Sequence, residues 1–407
     1  MSELSWQTGE YFKDVIACDL CLQSEDSFTI TNFNIAKANE KTAGYMSLIH
    51  RVCIEVVFDK GHNKPTTLSY IVKEKSDSAF GGNLVEVLSV FPKECEMYEK
   101  LLPAFEDIFN PERFGPKVFK TTSEPYTVIV MEDLTLSGFY MREKSYGLPI
   151  TDVKRILQKL AEFHAVSVVY RERNGSFSDL FSEGVITERT VEVLRGHYDA
   201  LYTAFLQSLR ERNFPAEYLR PLMALDGRLL EACSTVQRLD PSEFNVLNHG
   251  DLWPNNVLFG ENDLRLLDFQ NAFYGSFASD LLYFFVTSAT QLMCDSLEEL
   301  VQFYYENLVK AFEQLHYRQL IPSYADLLQQ LKQHGILILP PLSEAVAITM
   351  GGLTEPSDMA LITSEQPEGV TLRQHIFNNP SFVTLVDRLI PKLFELGLLH
   401  KSEDSVH

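Results

Sequence analysis

The sequence predicts an α+β fold in two lobes: a strand-rich lobe over residues 1–135 with one helix, and a helix-rich lobe over residues 136–407. Apolar residues alternate at period two in the first third of the chain, and the period changes to 3.6 from about residue 136. One strand–turn–strand segment near residue 260 interrupts the helical patterns. With 407 residues, 45% of them hydrophobic, the chain can bury a sizeable core and is not disordered.

The first strand signal is Ile49 to Phe58, where Val52, Ile54, Val56 and Phe58 alternate with polar neighbours. Leu68 to Lys73 is the second, and Tyr126 to Met131 the third. Between the last two, Phe91 to Leu102 reads as a helix with Cys95, Tyr98, Leu101 and Leu102 on one side and Pro103 as its stop. A connecting segment near Glu132 leads to Thr151–Tyr170, an amphipathic helix through Val153, Ile156, Leu157, Leu160, Phe163 and Val166. Further helices are predicted over Leu222–Leu239, Leu297–Leu315, Tyr324–Gln333 and Phe382–Leu399.

Lys plus Arg number 35 against 56 Asp plus Glu, a net charge of -21. So acidic a surface repels phosphate backbones and anionic membranes, which argues against nucleic acid as a partner. The six cysteines are scattered, and the Cys18-x-x-Cys21 pair has no second Cys or His pair at zinc spacing, so they read as ordinary thiols. Residues 1–10 carry no basic or apolar signal segment, and no apolar run approaches the ~20 residues of a membrane helix. A reduced, soluble, cytoplasmic monomer is expected.

The most informative stretch is His249-Gly250-Asp251-Leu252-Trp253-Pro254-Asn255-Asn256, followed by Asp268-Phe269-Gln270. Its order is that of an H-x-D-x-x-x-x-N loop and a D-F-x metal ligand, the parts with which kinase-fold phosphotransferases accept a hydroxyl proton and hold Mg²⁺ under ATP. Val257–Phe259 and Leu264–Leu267 are strand-like runs around the turn residues Gly260-Glu261-Asn262-Asp263. A hairpin folded about Asn262 sets Asn256 across from Asp268, so that two oxygen ligands converge as a hard cation requires.

Lys73 ends a strand, a suitable place for a lysine that contacts α- and β-phosphates. Lys75 lies on the same face, so context decides between the two. Glu94 can pair with Lys73; Glu96 sits about 200° away around the helix at ~100° per residue, so only one can face the strand, and Glu94 is preferred. Ser47, closing Gly44-Tyr45-Met46-Ser47, is a candidate phosphate donor in a turn that also reads as a plain β-turn. At the lobe boundary the Glu132 carbonyl and the Leu134 N–H are candidates to hold adenine. Asp280 is expected to cap a helix and brace the Asp251 loop. Phe273, Tyr274, Phe277, Tyr304 and Tyr305 can wall an apolar acceptor pocket or belong to the core.

Only eleven residues separate Asp268 from Asp280, too few for the peptide-binding activation segment of a protein kinase, and the loop lacks the Arg that clamps a phosphorylated one. The acceptor is therefore expected to be a small hydroxylated molecule.

At these residues the chain resembles the ecdysteroid kinase-like family, related to choline and aminoglycoside kinases. The resemblance rests on Phe91-x-x-Glu94-x-x-x-Tyr98, Met131-Glu132-Asp133-Leu134, His249 to Phe259, Asp268-Phe269-Gln270, Asp280 to Phe285 and Leu393 to Leu399. It implies a bilobal protein-kinase-like fold, with ATP and Mg²⁺ used to phosphorylate a hydroxyl of an ecdysteroid or a plant-derived or xenobiotic compound, and a role in detoxification. The glycine-rich segment at Ser47 departs from the family pattern. The alternative is a catalytically silent small-molecule-binding protein; the presence of base, metal ligands and lysine together favours the enzyme.

Overall fold

The computed structural model describes residues 6–38, 47–58, 64–75, 82–124, 127–142, 147–353 and 356–401. Its strand-rich part is a five-stranded antiparallel sheet of β1 (Phe28–Lys37), β2 (Ser47–Phe58), β3 (Thr66–Lys75), β4 (Val118–Thr122) and β5 (Val128–Glu132), in the order β1-β2-β3-β5-β4. The two strands absent from the sequence reading, β1 and β4, are the sheet's edges. Each carries a register shift, between Ile30 and Asn32 in β1 and between Val118 and Lys120 in β4. A bulge adds a residue and breaks the period-two pattern, so the apolar positions Ile30, Phe33 and Ile35 do not alternate.

Alternation decides what each face of the sheet touches. Val52, Ile54, Val56, Tyr70, Val72, Val128 and Val130 form one buried face, covered by Trp6, Phe12, Val15 and Ile16. The other face presents Lys73, opposite Ile129 in register, with Ile129 and Met131 joining the main core.

The helix that follows β3 corrects the sequence reading. It does not stop at Pro103: α1 (Val90–Glu96) passes through a π-helical turn at Met97–Leu101 into α2 (Leu102–Ile108). The Leu102 N–H donates to the carbonyl of Met97, five residues back. The wider turn relieves the ring clash and missing N–H that would make proline break a regular helix.

The rest of the molecule is mainly helical. The long α3 (Ile150–Asn174) packs along α6 (Thr290–Gln314); α5 (Ala278–Ser288), α7 (Tyr324–Gln333) and α8 (Pro380–Glu395) pack on α6, and α4 (Val191–Glu211) packs against the Pro367–Phe377 helix and the Leu342–Val346 turn. The helix expected over Leu222–Leu239 is broken into Ala216–Met223 and Leu229–Val236, with Gly227 at φ +67° between them. The helix expected from Leu297 begins earlier, at Thr290, across a non-helical Ser296. Two small sheets complete the architecture: β6 (Tyr140–Met141) with β8 (Val257–Phe259) and β9 (Leu264–Leu266), and β7 (Asn245–Asn248) with β10 (Phe273–Ser276). The fold is α+β, a strand-rich part followed by a helical half.

Leu160 of α3 is completely buried in the main core, whereas Leu136 is 70% exposed. Leu160→Ala should cost about 2–5 kcal/mol through lost burial and the cavity left behind, and Leu136→Ala no more than about 0.5 kcal/mol. Urea unfolding followed by circular dichroism reads the difference; equal losses would contradict this packing.

Candidate active site

The β8–β9 hairpin aligns the two halves of the motif. Val257 pairs with Leu266 and Phe259 with Leu264, and the Gly260 N–H donates to the Asp263 carbonyl. The turn's midpoint thus falls between Glu261 and Asn262, not on Asn262. Asn256 is opposite Leu267, whose N–H it accepts at 2.9 Å, and Asp268 follows one residue later. Arg155 of α3 donates to the carbonyls of Gly260 and Asp263 at 2.9 and 3.1 Å, tying the hairpin tip to the long helix.

Asp268 leaves the hairpin in the left-handed region, φ 66° and ψ 59°. Aspartate tolerates this conformation better than most residues, but it persists only where surroundings impose it. Phe269, fully buried, sits 4.7 Å from the His249 ring and edge-on to Tyr98 at 5.8 Å. On the other side Lys73 Nζ donates to Asp268 Oδ1 at 2.5 Å and to Glu94 Oε2 at 2.6 Å, with Gln270 Oε1 at 3.3 Å. Lys73 and Glu94 are both buried. Burial opposes the Lys73 charge, but Asp268 and Glu94 outweigh it and raise the ammonium above its ordinary range. Burial pushes the Glu94 carboxyl up and the ion pair opposes this. Lys75 instead pairs with Glu86 at 2.9 Å, and Glu96 accepts from Ser178 at 3.0 Å, so neither joins this cluster.

The loop carrying Asp251 is held from beneath by Asp280. Its carboxylate accepts from the N–H groups of His249 at 2.7 Å and Gly250 at 2.8 Å, and contacts His164 Nε2 at 3.1 Å. Asp280 is the third residue of α5 and makes no side-chain cap of that helix, a correction to its expected capping role. Gly250 has φ +80°, and a Cβ there would lie 2.1 Å from the Asn271 carbonyl oxygen, so the loop requires glycine. His249 is buried; burial lowers its pKa and keeps it neutral against the nearby carboxylates. Its Nε2 donates to the Leu267 carbonyl at 2.9 Å, leaving Nδ1 to accept the Asp251 N–H at 3.3 Å.

Asp251 is half-buried. Tyr283 donates to its Oδ1 at 2.7 Å and the Asn256 amide to its Oδ2 at 3.1 Å. Burial first, then the Asp268 charge, push the Asp251 carboxyl up to about 7, while these two hydrogen bonds pull it down. Tyr283 lies in the Asp280–Phe285 stretch on which the family resemblance rests, but sequence reasoning assigned it no role.

With its amide nitrogen committed to Asp251, Asn256 keeps Oδ1 as its acceptor, and among the described residues none donates to it or to Asp268 Oδ2. An amide oxygen and a carboxylate oxygen fit a hard cation that completes its shell with phosphate and water oxygens. Among the described residues no group of three His, Cys, Asp or Glu side chains could hold a metal ion by itself.

The remaining candidates are spread around this centre. Ser47 is buried at the head of β2, opposite Lys75; Gly44, Tyr45 and Met46 lie outside the described residues. Glu132 ends β5, its carboxylate accepting from Arg113 at 2.6 Å and from the Lys117 N–H at 2.7 Å. Asp133 anchors the segment after it, accepting from Arg51 at 2.8 Å and Ser69 at 2.7 Å, and Leu134 is buried. Phe273, Phe277 and Tyr304 are core residues, Phe277 stacking on Tyr304, and Tyr304 bonds His164 Nδ1 at 2.7 Å. None of the five aromatics lines the 630 Å³ cavity beside Trp253–Asn255, so of the two readings the core one holds for Phe273, Phe277 and Tyr304.

The raised Asp251 pKa has a stability consequence. An unfolded aspartate titrates near ~3.9, so between about 4 and 7 the folded state holds the extra proton. Its contribution is full below the unfolded value and is lost as pH rises through the folded one. Asp251→Asn should therefore melt several degrees above the parent at pH 8, the gap closing towards pH 4. Thermal melts across that range test this, and identical melts at pH 8 would contradict it.

Among solved structures, similarity extends to choline kinase from Cryptosporidium parvum Iowa II, at 12% identity over 96% of this chain and 98% of that one with a TM-score of 0.46. A choline/ethanolamine kinase family protein from Mesorhizobium loti matches at 11% identity, over 91% and 94%, with a TM-score of 0.37. The macrolide 2'-phosphotransferase from Brachybacterium faecium matches at 13% identity, over 87% and 98%, with a TM-score of 0.35. No curated protein matches the chain. The sequence model of the ecdysteroid kinase-like family matches residues 41–317, which span β2 and β3, α1, the Asp251 loop and the Asp268 hairpin. The chain belongs to the ecdysteroid kinase-like family, a family of small-molecule kinase-like proteins.

Proposed function

We propose that the protein transfers the γ-phosphoryl group of ATP to a hydroxyl of a small molecule. The observation that carries this reading is the convergence of Lys73, Glu94 and Asp268 beside the hydrogen-bonded pair Asp251 and Asn256. Lys73, oriented by Glu94, holds the α- and β-phosphates, and Ser47 contributes a donor at the head of β2. The Glu132 carbonyl and Leu134 N–H hold adenine at the junction of the two lobes, near residue 135. Asn256 and Asp268 would hold Mg²⁺, which supplies neutralisation of the phosphate charge when bound.

Asp251, fixed by Tyr283 and Asn256, orients the acceptor hydroxyl and takes its proton as the new P–O bond forms and ADP leaves. A carboxyl pushed up to about 7 is suited to accepting that proton near neutral pH. Catalysis of this kind is mainly positioning and electrostatics. The acceptor we infer is an ecdysteroid or a plant-derived or xenobiotic alcohol, with a role in detoxification. The net charge of -21 speaks against nucleic acid as a partner. Among the described residues no helix is long and apolar enough to cross a membrane, and we place the activity in the cytoplasm as a monomer.

Four variants test the reading through ATP consumption and product mass over a panel of hydroxylated compounds. Asp251→Asn should lower turnover about 10²–10⁴-fold while binding Mg-ATP as the parent does. Asp268→Ala should lose Mg²⁺-dependent ATP binding. Lys73→Met should lower kcat strongly, and Lys75→Met, whose lysine pairs with Glu86, should be nearly neutral. Full turnover by Asp251→Asn would remove its role. A parent that binds Mg-ATP but phosphorylates no compound of the panel would instead be a silent binding protein.

A further inference from the structure

A second carboxylate shares the surroundings of Asp251. Leu342–Val346 form a single π-helical turn, between the helical stretches Leu339–Pro341 and Ala347–Met350. Such turns are rare and frequent at functional sites. Glu344 on this turn accepts from His197 Nε2 at 2.9 Å and from the Tyr198 hydroxyl at 3.1 Å, both on α4. Its side chain nevertheless stays 29% exposed. Tyr283, the donor to Asp251, lies on α5, which packs against the same turn. The Glu344 charge raises the pKa of both Tyr283 and Asp251. Asp251, Tyr283, His197, Tyr198 and Glu344 are all half-buried, which suits the wall of an opening better than the filling of a core.

None of these five residues lines the cavity of about 630 Å³, but chain neighbours of three of them do. Its walls include Trp253, Pro254 and Asn255 of the loop that begins at Asp251, Thr287 one turn beyond Tyr283, and Ala345 beside Glu344. The volume lies within the range of small-molecule pockets. A larger cavity, of about 1040 Å³ and walled in part by Leu222, Arg228 and His334, shares no residue with the Asp251 loop.

We propose that Glu344 is a specificity-determining residue for the acceptor. Its carboxylate accepts a hydrogen bond from a second hydroxyl, while the first hydroxyl meets Asp251 and the apolar body of the acceptor enters the adjoining cavity. This assignment rests on the phosphotransfer reading above. An ionised carboxylate has no proton to give, so only a donor satisfies it. A mono-alcohol covers Glu344 without replacing the water it displaces, and a diol replaces it; sites built around such a bond discriminate strongly against ligands that lack the group.

The test measures binding, so it does not require turnover. The full chain, loaded with Mg²⁺ and a non-hydrolysable ATP analogue, is titrated calorimetrically with a series of steroid diols and the mono-alcohols of the same skeletons. The parent should favour at least one diol over its mono-alcohol by about tenfold or more. Glu344→Leu should erase that preference by weakening the diol alone. Glu344→Gln, which keeps an acceptor for His197 and Tyr198, should retain a reduced preference. No preference in the parent, or an undiminished one in the variants, overturns the assignment. Phosphate transfer to the same probes is followed separately. Transfer without a Glu344-dependent preference rejects this assignment alone, and the preference without transfer rejects the phosphotransfer reading alone.

Discussion

Burying an unpaired ammonium costs several kcal/mol, and Lys73 is only 3% exposed. It therefore requires anionic partners, and they come from two distant parts of the chain: Glu94 on α1 and Asp268 after the β8–β9 hairpin. One side chain thus joins the sheet, the helix beside it and the helical half. A buried ion triad of this kind is poor evidence of net stability, because desolvation offsets much of the attraction. It is better evidence of specificity, since each partner fixes the position of the other two. The left-handed backbone of Asp268 follows from the same constraint: Phe269 must enter the core beside Tyr98 and His249 while the preceding carboxylate reaches Lys73.

A second constraint holds the Asp251 loop. Asp280 binds two consecutive backbone N–H groups of that loop from the first turn of α5, and Gly250 lets the chain pass close to Asn271. The backbone of the loop is held from below, which leaves the Asp251 side chain for other tasks. Above it the environment is acidic, with Asp251 in the fields of both Asp268 and Glu344. Among them, Asp268 is paired directly with Lys73. Carboxylates gathered in this way repel one another, and the metal–nucleotide complex proposed above would relieve that repulsion. Burial first, and then these charges, raise the Asp251 carboxyl.

The fold class is legible in the sequence because burial imposes its period wherever an element has one wet face, as in β2 and α3. It is not legible where that condition fails. In β1 a bulge disrupts the alternation, and α5 (Ala-Ser-Asp-Leu-Leu-Tyr-Phe-Phe-Val-Thr-Ser) is buried on nearly all sides and shows no clean amphipathic stripe. Pro103 signals a helix end, yet a π turn carries the chain past it. At the candidate site, the residues close in sequence, from His249 to Asp268, are readable from spacing alone. Asp133, Tyr283 and Glu344 are not, since their partners Arg51, Asp251 and His197 lie between 32 and 147 residues away. Tertiary packing, rather than local pattern, makes those contacts.

On the proposed function, Asn256 and Asp268 take a divalent ion that arrives with nucleotide. Electron paramagnetic resonance of Mn²⁺, used in place of Mg²⁺, counts bound metal directly as ATP is added to the parent and to Asp268→Ala. ATP should bring one or two Mn²⁺ ions onto the parent and none onto the variant. Equal Mn²⁺ binding by both proteins, or ATP binding by the parent without any bound Mn²⁺, would contradict it.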